Sequence, residues 1–137
     1  MKITLNIKLY ILLIIFTFST YGCYGPTWPS RGLSITGAPT AEVVAVSESV
    51  LIANGFKNIG DDGRDKIVGG KNTLYFKRGE NLLVVISMDR NNVVPIRINH
   101  RHGSSLNEAN QIYDLLAIAL EERWRGAVVK ETAWTKP

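Results

Sequence analysis

Three apolar runs, Thr73 to Lys77, Leu82 to Asp89 and Val93 to Arg101, follow one another with only Arg78-Gly79-Glu80-Asn81 and Arg90-Asn91-Asn92 as links. Links that short make an antiparallel meander. Leu82, Val84, Ile86 and Met88 share one face of the middle strand, and Val94, Ile96 and Ile98 share one face of the third. A slip of one residue inverts a strand's faces, so these sets meet Leu74 and Phe76 only across odd-length loops such as Gly79 to Asn81 and Arg90 to Asn92. That common face should carry the core.

Helical patterns flank the meander. After Pro39, Thr40 is a candidate N-cap, Glu42 suits the positive end of the dipole, and Val43, Val46, Val50 and Ala53 recur at helical spacing. Asn54-Gly55 supplies a stop, with Phe56 placed for the hydrophobic contact of a glycine C-cap. A second helix is predicted from Ser105-Leu106-Asn107-Glu108, which fits a capping box, and from Ala109, Ile112, Leu116 and Ala119, a stripe broadened by Leu115 and Leu120. Gly126 should end it, with Arg123 and Arg125 at the negative end of its dipole. Gly60 to Lys71 reads as a loop with room for a short strand at Lys66 to Val68, and Ala127 to Val129 as a last short strand, with Trp134 anchoring the tail. The order α-β-β-β-α implies an α+β fold. It should be a two-layer sandwich, an antiparallel meander of three to four strands with two helices packed on one face.

The chain opens differently. Lys2 and Lys8 precede an apolar segment from Leu9 to Phe18, interrupted only by Thr17, and this is the pattern of an export signal. Ten helical residues reach about 15 Å, roughly half of a ~30 Å hydrocarbon core, which favours a cleaved signal at residues 1–22 over a spanning helix. Ser19-Thr20-Tyr21-Gly22 then leads into Cys23, the only cysteine. This stretch resembles the lipobox of bacterial lipoproteins: Gly22 is the small residue before the cysteine, while Thr20 and Tyr21 stand where that family favours Leu and a small residue. The resemblance implies cleavage before Cys23, acylation of its thiol, and anchoring in the bacterial cell envelope. In the enterobacterial sorting pattern of that family, Tyr24 in place of Asp would imply the outer rather than the inner membrane. An exported chain with one cysteine makes no internal disulfide, so its thiol needs another use. Besides acylation, the alternatives are a free thiol, an intermolecular disulfide, or ordinary signal cleavage after Gly22.

Without Lys2 and Lys8, 14 basic residues face 12 acidic ones and the net charge falls from +4 to +2. No block of like charge suggests nucleic-acid binding. The roughly 115 residues that remain suit one domain with a modest core, here assigned to residues 40–137. Between Tyr24 and Pro39 lie Pro26, Pro29, Pro39, Gly25, Gly32 and Gly37, a composition that suits a tether at 23–39 reaching ~50 Å if fully stretched. The competing reading is that Trp28 and Leu33 to Ile35 fold back on the domain.

No residue pattern makes a catalytic, metal or cofactor site. His100 and His102, two apart at a strand end, would put both imidazoles on one side, but two ligands do not make a site. Asp61, Asp62 and Asp65 lack the alternation and terminal Glu of a calcium loop. Ser104 and Ser105 lie near His102 without a G-x-S-x-G elbow, Glu121-Glu122 reads as a solvated face, and Gly69-Gly70 lacks phosphate-loop spacing.

The face of the meander turned from the core is more informative, because it should gather Tyr75, Leu83 and Val85 with Lys77, Arg97 and Asn99. An apolar spot rimmed by positive groups can receive a partner, unless the chain's own ends cover it. Arg97 and Arg101, with Pro95, also suit protection of an edge strand. The chain therefore reads as a small non-catalytic envelope lipoprotein that docks another envelope component, a protein by preference. Alternatives are a module for an anionic lipid or cell-wall polymer using Lys77, Arg97 and Arg101, and, more distantly, a hydrolytic or metal-dependent enzyme.

Overall fold

The alternating apolar runs form the centre of a six-stranded antiparallel sheet in a computed structural model, in which residues 28–59, 73–88, 92–101 and 105–135 are described. The elements in chain order are β1 (Ser30–Thr36), α1 (Thr40–Ala53), β2 (Lys57–Asn58), β3 (Thr73–Arg78), β4 (Leu82–Ser87), β5 (Val93–His100), α2 (Leu106–Arg123) and β6 (Val128–Lys130). Across the sheet the strands lie in the order β2-β3-β4-β5-β1-β6. The fold class is α+β, with both helices packed on one face of the sheet.

The meander has the register its alternation requires. Phe76 pairs with Val84 and Val84 with Ile98, while Ile86 sits between Leu74 and Ile96. These side chains face the helices, where they pack with Val43 and Leu51 of α1 and with Ile112, Leu116 and Leu120 of α2. Burial of each such side chain contributes about 1.5–3 kcal/mol. β4 ends at Ser87, so the link to β5 is two residues longer than the sequence suggested, yet still odd in length.

From residue 28 the segment assigned to a tether takes the competing course and folds back on the domain. Its residues 30–36 are β1, an interior strand that pairs Gly32 with Arg97 and Ile35 with Val94 on one side, and Ser34 with Val129 on the other. Leu33 and Ile35 are buried on the helix face. Proline weakens a strand only inside the ladder, and here Pro29 and Pro39 lie outside β1 while Gly37, at φ +78°, turns the chain into α1. The domain thus begins about ten residues before position 40, and the element order becomes β-α-β-β-β-β-α-β, with six strands instead of three or four.

Helix ends also divide. The stop of α1 forms as its residues dictate: Gly55 adopts φ +81°, its amide bonds Ile52 O at 3.1 Å, and the Phe56 amide bonds Leu51 O at 3.0 Å. This is the paired glycine C-cap, with Phe56 and Leu51 both buried. The N-caps differ from expectation. Pro39, not Thr40, precedes the first helical residue, and Ser105 makes no side-chain cap bond. Its hydroxyl donates instead to Arg101 O at 2.7 Å, and the Glu108 carboxylate is drawn 3.1 Å from Arg78 Nη2.

Among the described residues no helix is long and apolar enough to cross a membrane. The signal, Cys23, the Asp61–Asp65 segment, the strand at 66–68, His102 and Ser104 lie outside the described residues.

Candidate functional site

Alternation along three paired strands brings the six residues singled out on the second sheet face into two parallel rows. Tyr75, Val85 and Arg97 form one row, and Lys77, Leu83 and Asn99 form the next. All six point away from the helices, because their neighbours Phe76, Val84 and Ile98 point toward them.

Their states differ. Tyr75 is only 3% exposed, so its ring is withdrawn from solvent. Leu83 and Val85 are half-buried. Lys77 Nζ lies 3.3 Å from Glu80 Oε2. Asn99 Nδ2 donates to Leu83 O at 3.3 Å. Arg97 is held twice: Nη1 donates to Ser30 Oγ at 2.8 Å, and Nη2 lies 3.0 Å from Glu131 Oε1. Both Lys77 and Arg97 therefore spend their charge on a neighbouring carboxylate.

The face extends further than the meander. Beyond Arg97, β1 contributes only Ser30, Gly32 and Ser34, and β6 contributes Val129, which is 62% exposed. These small residues leave a shallow trough of about 200 Å³ between Pro95 and Arg97 on one side and Val129 and Glu131 on the other. The sequence reading missed this half because it had no β1. The signal available was the alternation of Ser30, Gly32 and Ser34 with Leu33 and Ile35.

A second cluster fixes the trough's far wall. Tyr113 on α2 reaches across the layer, and its hydroxyl donates to Glu131 O at 2.9 Å, with Gly32 O at 3.2 Å as a second acceptor. Burial raises the Tyr113 pKa above its ordinary value, against the opposing pull of the Arg31 guanidinium 3.8 Å over its ring. Arg31 Nε also donates to Glu131 O at 2.8 Å. Past Glu131, the Thr135 amide bonds Ser30 O at 2.8 Å and Trp134 Nε1 donates to Asn110 Oδ1 at 2.9 Å, so the tail runs beside β1.

His100 is buried with its ring edge-to-face against Trp134, centroids 4.7 Å apart, and its Nδ1 lies 3.1 Å from Arg101 O. It is a packed side chain at the end of β5. Glu121 bonds Lys130 at 2.8 Å, which raises the Lys130 pKa. Among the described residues no three His, Cys, Asp or Glu side chains gather as a metal site. The second sheet face offers shape, apolar area and a carboxylate-bound arginine, which suits recognition. No family model matches the chain, and no curated protein matches it.

Proposed function

We propose that this chain is a non-catalytic envelope lipoprotein, anchored through acylated Cys23, whose α+β domain docks a protein partner on the sheet face opposite the helices. The observation that carries the reading is the pair of rows on that face. Leu83 and Val85 lie at their centre, outside the core, with the Gly32/Ser34 trough and exposed Val129 beside them. A half-buried apolar centre with a polar rim is the usual composition of a protein interface. The anionic-polymer reading ranks second, because two of the cations it needs, Lys77 and Arg97, are each neutralised by a carboxylate.

The export and anchoring half rests on residues 1–23 and their resemblance to lipoprotein leaders. It is tested by intact mass and fractionation of wild type beside Cys23→Ala, in a bacterium with lipoprotein-processing enzymes. Cleavage before residue 23 with added acyl mass, lost in the variant, supports the anchor; an unlipidated soluble product rejects it. The docking half is tested by crosslinking in the membrane fraction. Leu83→Asp combined with charge reversal at Lys77 and Arg97 should abolish partner capture while the domain stays folded, and unchanged capture rejects the surface.

A further inference from the structure

We propose that the end of the domain at which β1 begins rests on an anionic phospholipid surface, an inference that builds on the anchored reading above. The Pro29 carbonyl accepts the His100 amide at 3.2 Å, so the chain is already bound to the sheet at residue 29. Six Cα–Cα steps separate Cys23 from Pro29, a reach of at most ~20 Å. About a third of that length is taken up in crossing the headgroup layer. The ~50 Å tether that composition suggested is therefore cut by more than half, and the domain cannot stand clear of the bilayer.

The structure determines which end lies nearest. The start of β1 shares its end of the sheet with Lys57 of β2, Lys77 and Arg78 at the close of β3, and Arg101 just after β5. Glu80 neutralises Lys77 and Glu108 neutralises Arg78, at 3.3 and 3.1 Å. Lys57 and Arg101 are exposed, and among the described residues no carboxylate lies within ion-pair distance of either. The described residues of that end are left with net positive charge, within a Debye length of ~8–10 Å of the headgroups they would meet. Half-buried Trp28 stands where the chain enters the domain, a residue type suited to the interfacial layer. The opposite end carries the Arg123–Glu42 pair, and exposed Arg125 there shares a surface hollow with Glu122, so it has no such surplus. In this pose the strands run away from the membrane and the docking face looks sideways, open to a neighbour in the envelope.

The test uses the full chain, processed in a bacterium and reconstituted in vesicles of phosphatidylethanolamine and phosphatidylglycerol. Acylation of Cys23 leaves an introduced cysteine as the only thiol for a fluorophore, placed by Asn107→Cys at the near end of α2 or by Glu122→Cys about 22 Å further along it. Quenching by nitroxide-headgroup lipid should be several-fold stronger from position 107. The tether alone keeps position 107 the nearer of the two, so Lys57→Glu with Arg101→Glu should shrink that difference severalfold without changing the acyl mass, and raised salt should shrink the wild-type difference toward the same value. Equal quenching from both positions in an acylated product overturns the orientation while the anchor stands. A difference that is unchanged by the charge reversal and by salt overturns recognition of the anionic surface. An unacylated mass overturns the anchored reading and this inference with it.

Discussion

Glu131 occupies the space of the side chain that Gly32 lacks: its Oε2 accepts the Gly32 amide at 2.8 Å, and a Cβ at position 32 would lie 3.2 Å from its Cδ. The same carboxylate holds Arg97 at 3.0 Å, so one acid seals the end of the β1–β6 ladder and sets the charge on the second sheet face.

Gly32→Ala should displace the carboxylate and cost about 1 kcal/mol, the net worth of a hydrogen bond. Glu131→Ala should cost somewhat more, because it also frees Arg97. Because both remove one interaction, the double variant should fall clearly short of the sum in urea unfolding. Additive losses would show that the two residues act independently.

Tyr113→Phe deletes the donor to Glu131 O from a buried site, and should cost about 1–1.5 kcal/mol at neutral pH. The folded state favours the neutral phenol, so this contribution is complete below the ordinary value of 10.0 and is lost as pH rises through the raised one. Wild type should therefore lose stability in alkali more steeply than Tyr113→Phe. Parallel pH profiles would contradict the burial argument.

Residues on opposite faces of β4 should respond in opposite ways. Ile86 is fully buried, and Ile86→Ala should cost about 2–5 kcal/mol. Leu83→Asp, on the other face, should change stability by less than about 1 kcal/mol and register in partner capture instead. Chemical denaturation beside crosslinking separates the two effects.

The tail's hold on the domain can be divided at Trp134. Trp134→Ala should cost about 2 kcal/mol, less than a core aromatic because the ring is half-buried. Trp134→Phe should restore the packing against His100 but not the bond to Asn110, leaving a loss of about 1 kcal/mol in thermal unfolding.

Much of the candidate site was legible because a strand's alternation assigns faces without reference to neighbours. Tyr75, Leu83 and Arg97 share a face once the loops are odd in length, and the pairing places them accordingly. Their occupancy was not legible. The carboxylate on Arg97 comes from a residue 34 positions later in the chain, and the hydroxyl on it from one 67 positions earlier.

The sequence alone determined the local structure: the meander, the core faces of β3 to β5, and the glycine stop of α1 with its Phe56 contact. Those features depend on side-chain period and on a backbone conformation that glycine adopts without strain. Tertiary structure decided the rest. Ser30 to Thr36 alternates as a strand would, but it is rich in small residues and set between prolines, so the alternation alone does not hold it in a sheet. It becomes an interior strand because β5 and β6 satisfy its backbone on both sides while Leu33 and Ile35 fill the core. The capping box at Ser105 yielded for a related reason, since Arg101 O and Arg78 offered its two polar groups partners from outside the helix. The first outcome rests on contacts between distant parts of the chain, and the second on Arg78, thirty residues before Glu108, together with Arg101 just ahead of the helix, neither of which the capping pattern encodes.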